Sequence, residues 1–160
     1  MNKKTLFITQ AAMIAAVYVV LTMFISAFNL ASGAVQIRIS EALCILPVFT
    51  PAAIPGLFIG CLLSNTLTGC VIYDVIFGSI ATLLGAIGTY ALRKTKFLYT
   101  LPPVIANTVI VPAVLMYAYN VPGSYFILAL GVGAGEVISI CVLGSVLRAV
   151  LWKNREFIFR

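Results

Sequence analysis

GAVQIRISEALCILPVF, residues 33–49, sets Arg38 and Glu41 three positions apart inside an otherwise apolar run. The mean hydropathy of the chain is +1.15, and 62% of its 160 residues are apolar against 9% charged. A soluble domain carries roughly a quarter charged residues, so the solvent around this stretch is lipid. There an ionisable side chain costs about 2.5 to 3.5 kcal/mol on insertion scales, and it faces protein or water, where it finds partners. Arg38 and Glu41 therefore form either an internal ion pair on one face of a short helix or a ligand contact. Val35, Ile37 and Ile39 alternate with Gln36, Arg38 and Ser40. That pattern suggests an extended approach with Ser40 as N-cap, which places Arg38 over a pocket.

Working outward, the turn residues and charges divide the chain into an all-α integral membrane protein, a single domain over 1–160. Its six transmembrane helices fall at 5–28, 36–50, 53–66, 71–92, 99–119 and 124–148. Crossing an apolar layer takes about 20 helical residues, and four of these segments are long enough. The second and third are short and broken by Pro47, Pro51 and Pro55, which remove backbone donors. They are two short crossings or a re-entrant pair, and either returns the chain to the side it came from. The clusters Lys3/Lys4, Arg93/Lys94/Lys96 and Arg148/Lys153/Arg155/Arg160 then share one face. The positive-inside bias makes that face, and both termini, cytoplasmic. The first apolar run exceeds the roughly 7–15 residues of a signal-peptide core and lacks a clear cleavage site, so it reads as a retained helix.

The opposite face gathers the connections Asn29–Gln36, Asn65–Ile72 and Asn120–Ser124, which carry almost no charge. Arg38, Glu41, Asn65 and Asp74 lie near them, with Tyr117, Tyr119 and Tyr125 about the last. Asp74 opens a helix, where the dipole favours a carboxylate, so it either caps or binds. Glu136, within GVGAGEVISI (131–140), has no basic residue one helical turn away. A ligand donor, a distant Arg38 or a proton would satisfy it. Asn107 is interhelical glue or a ligand contact. Small residues recur at four-residue spacing in Ala11/Ala15, Ala12/Ala16, Gly56/Gly60 and Gly131/Gly135, which lets helices approach closely. The two alanine pairs form either internal packing or a flat strip for a partner protein.

Several classes are excluded by what is missing. There is no His, no Cys pair at metal-ligand spacing and a total of four acidic residues, so neither a metal site nor a Ser-His triad can be built. Cys44, Cys61, Cys70 and Cys141 read as small apolar fillers. Gly131, Gly133 and Gly135 follow no strand and precede no Gly-Lys-Ser/Thr, so they are packing glycines rather than a nucleotide loop. Without such a loop the chain cannot itself use ATP. The net charge of +6 sits at membrane boundaries rather than in one groove-sized patch, which argues against a nucleic-acid partner.

QIRISEALCILPVFTPAAIPGLFIGCLLSN (36–65), YDVIFGSIATLLGAIGTY (73–90) and the GAGEVIS that follows Val132 resemble the queuosine precursor transporter family over essentially the whole chain. Its members are substrate-binding S components of energy-coupling factor (ECF) transporters. The resemblance implies a six-helix S-component fold in a prokaryotic plasma membrane, with a small molecule bound near the outer face. It implies docking through Ala11, Ala12, Ala15 and Ala16 onto a transmembrane transducer coupled to two ATPases, with no cofactor in this chain. The body is thought to topple in the membrane and so deliver its pocket inward. The implied cargo is a 7-deazaguanine: queuine or its 7-cyano or 7-aminomethyl precursor. A guanine-like edge offers paired N–H donors that suit a carboxylate, which makes Glu136 the first candidate. Asp74 or Glu41 would take an amine, Asn65, Asn107 or Arg38 the ring carbonyl, and Tyr117, Tyr119 or Tyr125 would stack on the base. There are two alternatives: an S component for another vitamin, which would have the same topology, and a small ion channel, which would need oligomer symmetry and a continuous polar stripe.

Overall fold

The computed structural model describes residues 2–27 and 38–158, except for the side chains of Glu156 and Phe157; among these residues the chain is helical and has no strand. The expected end of the first helix at Phe28, the break at Asn29–Gly33, the connection up to Gln36, the alternation from Val35 to Ile37, and Arg160 lie outside the described residues.

Among the described residues, four helical stretches are long and apolar enough to cross a membrane: α1 (Lys3–Ala27), α3 (Ile72–Ala91), α4 (Leu101–Tyr117, preceded by a 3₁₀ turn at Leu98–Thr100) and the continuous stretch Tyr125–Lys153. The last is α5 (Tyr125–Glu136), a π-helical segment (Val137–Gly144) and α6 (Ser145–Lys153), so it runs further than the expected 124–148. A four-residue α7 (Arg155–Ile158) follows.

The expected second helix, 36–50, is a ten-residue 3₁₀ helix at Ile39–Val48. Ser40 is not its cap. Arg38 holds that position in extended backbone (φ −103°, ψ 96°), while Ser40 is buried in the first turn. Every residue from Ser40 to Pro47 is buried, so this segment is the central post around which the longer helices stand. Its three-residue period eclipses side chains at i and i+3, which stacks Glu41, Cys44 and Pro47 on one side. The chain turns at Phe49–Ala52 and enters α2 (Ala53–Leu67), where Pro55 falls in the first turn and displaces no intrahelical hydrogen bond.

Glycines set the approach of the helices. A Cβ on Gly56 would lie 2.7 Å from the Ala11 carbonyl oxygen, and one on Gly60 would lie 2.8 Å from Tyr18 Cβ. α1 and α2 thus run parallel in near-backbone contact. Ala15 is buried in that contact and Ala11 is half-buried, whereas Ala12 and Ala16 are exposed. Ala11 and Ala15 thus face α2, while Ala12 and Ala16 lie on the exposed face of α1.

Thr50 donates to Gln10 Oε1 at 2.9 Å, the Phe49 and Trp152 rings lie 6.0 Å apart, and Arg148 Nη1 donates to the Tyr99 hydroxyl at 3.3 Å. These contacts bring the start of α1, the turn before α2, the α3–α4 connection and the end of α6 to one end of the bundle. Lys3, Lys4, Arg93, Lys94, Lys96, Lys153 and Arg155 belong to that end. The apolar core beside it joins Ile14, Leu43, Ile45, Leu46, Leu57 and Tyr99.

Candidate functional site

The 3₁₀ helix, caught among α1, α3 and the last span, carries Glu41 into the middle of the bundle. Glu41 is 1% exposed and its carboxylate is fully engaged. Tyr18 of α1 donates its hydroxyl to Oε1 at 2.5 Å, while Cys44 Sγ and Asn107 Nδ2 donate to Oε2 at 3.1 and 3.4 Å. Three donors from three elements make Glu41 a structural junction. The expected ion pair with Arg38 is not what satisfies it. Arg38 attracts Asp74 most strongly among the carboxylates, then Glu41, and it also acts on Glu136.

Asn107 also lies near enough to Glu136 of the last span to act on its carboxyl group. Glu136 is 4% exposed, and its Oε2 has no hydrogen-bond partner among the described residues. One turn on, in the π-helical segment, Ser139 is fully buried with its Oγ likewise unpartnered. Thr108 Oγ1 is a third such atom, and a Cβ on Gly133 would lie 3.2 Å from it. Here α4 and α5 meet closely around polar atoms.

The second carboxylate group lies where α2, α3 and the α4–α5 loop converge, at the end away from the basic residues. Asp74, 4% exposed, stands in the first turn of α3. Tyr119 donates its hydroxyl to Asp74 Oδ2 at 3.2 Å and accepts from the Val71 N–H at 3.1 Å. Partial burial, with Asp74 adding to it, pushes the Tyr119 phenol above its ordinary value, so it remains a donor at physiological pH. Asp74 Oδ1 has no partner among the described residues. Asn65 Nδ2 donates to the Asp74 backbone carbonyl at 3.4 Å, and a Cβ on Gly78 would come within 3.2 Å of both Asn65 Nδ2 and Asp74 Oδ1. Gly78 keeps that corner open.

Of the residues singled out in the sequence, Arg38, Glu41, Asn65, Asp74, Asn107 and Glu136 come together, and two tyrosines do not. Tyr117 is 77% exposed on the outer side of the bundle. It borders an apolar groove of about 590 Å³ between α3 and α4, shared with Tyr73, Phe77 and Ala113. Tyr125 spends its hydroxyl on the Val109 carbonyl at 2.8 Å. Tyr119 is the tyrosine that reaches a carboxylate. Sequence reasoning missed Tyr18, whose signal was a phenol in mid-helix that must find a partner when buried. It also took Cys44 and Cys61 for fillers. Both are buried and free of disulfide, yet Cys44 donates to Glu41, and Cys61 Sγ accepts from Thr82 at 3.4 Å and Asn65 at 3.6 Å. The spacings Glu41/Cys44 and Cys61/Asn65 were the available signals.

Fold and site together define a multi-pass helical membrane protein with a layer of buried carboxylates. The QueT transporter family model matches residues 8–153, and the chain belongs to that family, one of transporters rather than enzymes. It is 38% identical over 83 residues to the queuosine precursor transporter QueT of Lactococcus lactis subsp. cremoris (strain MG1363), a match spanning 52% of this chain and 48% of that relative. The aligned part is thus about half the relative's length. No solved structure matches the chain.

Proposed function

We propose that the chain is the substrate-binding S component of an ECF-type importer that captures a 7-deazaguanine queuosine precursor from outside the cell. The observation that carries this is Glu136: a nearly fully buried carboxylate with one oxygen unpartnered among the described residues. A buried polar atom left unmatched costs about 1 to 3 kcal/mol, which a ligand with paired N–H donors removes. The guanine-like edge of a deazaguanine, N1–H beside the N2 amine, is such a pair. Arg38 is positioned by charge to meet the ring carbonyl, Asn65 lies beside Asp74, and Tyr119 offers its ring at the mouth. Asn107 donates to Glu41 at 3.4 Å and lies near Glu136.

In the cell, six crossings with both termini in the cytoplasm place the basic end inward and the carboxylate layer towards the outer surface. The short 3₁₀ helix and α2 act as the two incomplete crossings. Ala12 and Ala16, exposed near the inner end of α1, dock onto a transmembrane transducer, and two partner ATPases supply the energy that this chain cannot. Binding of a ligand panel by the purified protein tests the assignment. Queuine, 7-aminomethyl- or 7-cyano-7-deazaguanine should raise its melting temperature, while riboflavin, thiamine and biotin should not. A shift with one of the vitamins and none with any deazaguanine contradicts it.

A further inference from the structure

The charges of the membrane-embedded body do not balance. Glu41, Asp74 and Glu136 are all buried, and the sequence has no basic residue between Lys4 and Arg93 except Arg38. The next cation along the last span, Arg148, is engaged at the basic end with Tyr99 and Trp152. Three carboxylates thus share one guanidinium. Ionic groups withdrawn from water need a counter-charge with good geometry, and even protonation of one acid leaves more negative charge than Arg38 offsets.

Arg38 acts most on Asp74, but also on Glu41 and Glu136, so its one charge is spread over three acids, and the hydrogen bonds show which acid oxygens stay open. Glu41 is filled by Tyr18, Cys44 and Asn107. Asp74 has Tyr119 on Oδ2, nothing on Oδ1 among the described residues, and the side-chain-free Gly78 alongside. We propose that Asp74 is the specificity-determining residue of the site and that it selects a ligand whose 7-substituent carries a protonated amine. This rests on the deazaguanine assignment above and deepens it. The amine donates to Asp74 Oδ1 while Tyr119 holds Oδ2, so that carboxylate is oriented before the ligand arrives. With Glu136 on the guanine edge, the two acids that retain a free oxygen meet the two nitrogen-bearing ends of one molecule. The 7-aminomethyl compound and queuine carry such an amine, whereas the 7-cyano compound is uncharged there and has no donor for Asp74.

Calorimetric titration of the protein in lipid nanodiscs with the 7-aminomethyl and 7-cyano compounds tests this. The expected result is at least ten-fold tighter binding of the aminomethyl compound. Asp74→Asn should abolish most of that preference by weakening the aminomethyl compound while leaving the cyano compound within about two-fold, as the ten-fold scale of a lost charge-assisted contact implies. Asp74→Glu, which keeps the charge, should retain the order of preference. Equal affinity of the natural protein for both compounds overturns the proposal whether or not the variants fold. So does a preference that survives in a folded Asp74→Asn protein. Those results leave the deazaguanine assignment intact, whereas failure of both compounds to bind overturns that assignment and this proposal with it.

Discussion

Glu41 and Glu136 are both buried acids, yet their surroundings give them opposite tasks. Glu41 accepts from Tyr18, Cys44 and Asn107 and so anchors the 3₁₀ helix to α1 and α4. Glu136 keeps an oxygen free among the described residues. Removing the Tyr18 hydroxyl should therefore cost stability rather than specificity. Tyr18→Phe leaves a buried carboxylate oxygen without its donor, a loss of about 1 to 3 kcal/mol, and about 1 kcal/mol lowers the melting temperature of a 150-residue protein by roughly 2–4 °C. A thermal melt in detergent should show a fall of several degrees, and an unchanged melt would mean that Tyr18 is not a support of Glu41. The sequence made the acids visible because a charge in an apolar run stands out on cost alone. It could not say which acid was saturated, since the donors come from α1 and α4, more than twenty and more than sixty positions away. Tyr18 and the thiols of Cys44 and Cys61 escaped because each is also an ordinary apolar-compatible residue.

Among the elements, the pairs of closest approach are the most sensitive to change. A Cβ on Gly85 would lie 2.6 Å from Pro103 Cα, which is backbone and cannot swing aside. Gly85→Ala is expected to destabilise α3 against α4 by about 1 to 3 kcal/mol through overpacking. Leu84→Ala, one position along on the 52%-exposed lipid side, should change the melting temperature little. Equal effects of the two would contradict the α3–α4 contact described above. Helix positions were legible from hydropathy and turn residues: the expected 53–66 and 71–92 are found at Ala53–Leu67 and Ile72–Ala91. Helix type was not. Residues 36–50 show enough apolar character for a span, but a buried post of 3₁₀ geometry with Pro47 inside it is decided by what packs around it. The π-helical Val137–Gly144 leaves no compositional trace. Four-residue spacing identified the small faces of α1 but not their partners, so Ala11 and Ala15 looked equivalent to Ala12 and Ala16 until α2 was in place.

At the scale of the whole molecule, basic residues at one end and buried acids towards the other make the bundle polar along its long axis, which suits a body that takes cargo at one membrane face and meets its partners near the other. Ala12→Trp with Ala16→Trp fills the exposed strip without entering the α1–α2 contact. The pair should abolish uptake in cells carrying the complete transporter while leaving ligand affinity within two-fold. Uptake at the normal rate would remove that strip from the docking surface. If the buried, incompletely satisfied Glu136 carboxylate receives the deazaguanine, a calorimetric titration of the Glu136→Gln protein beside the natural one will show it. The variant should bind the tightest deazaguanine at least ten-fold more weakly, about 1.4 kcal/mol, because an amide cannot accept both ring donors. Unchanged affinity in a folded Glu136→Gln protein would contradict it.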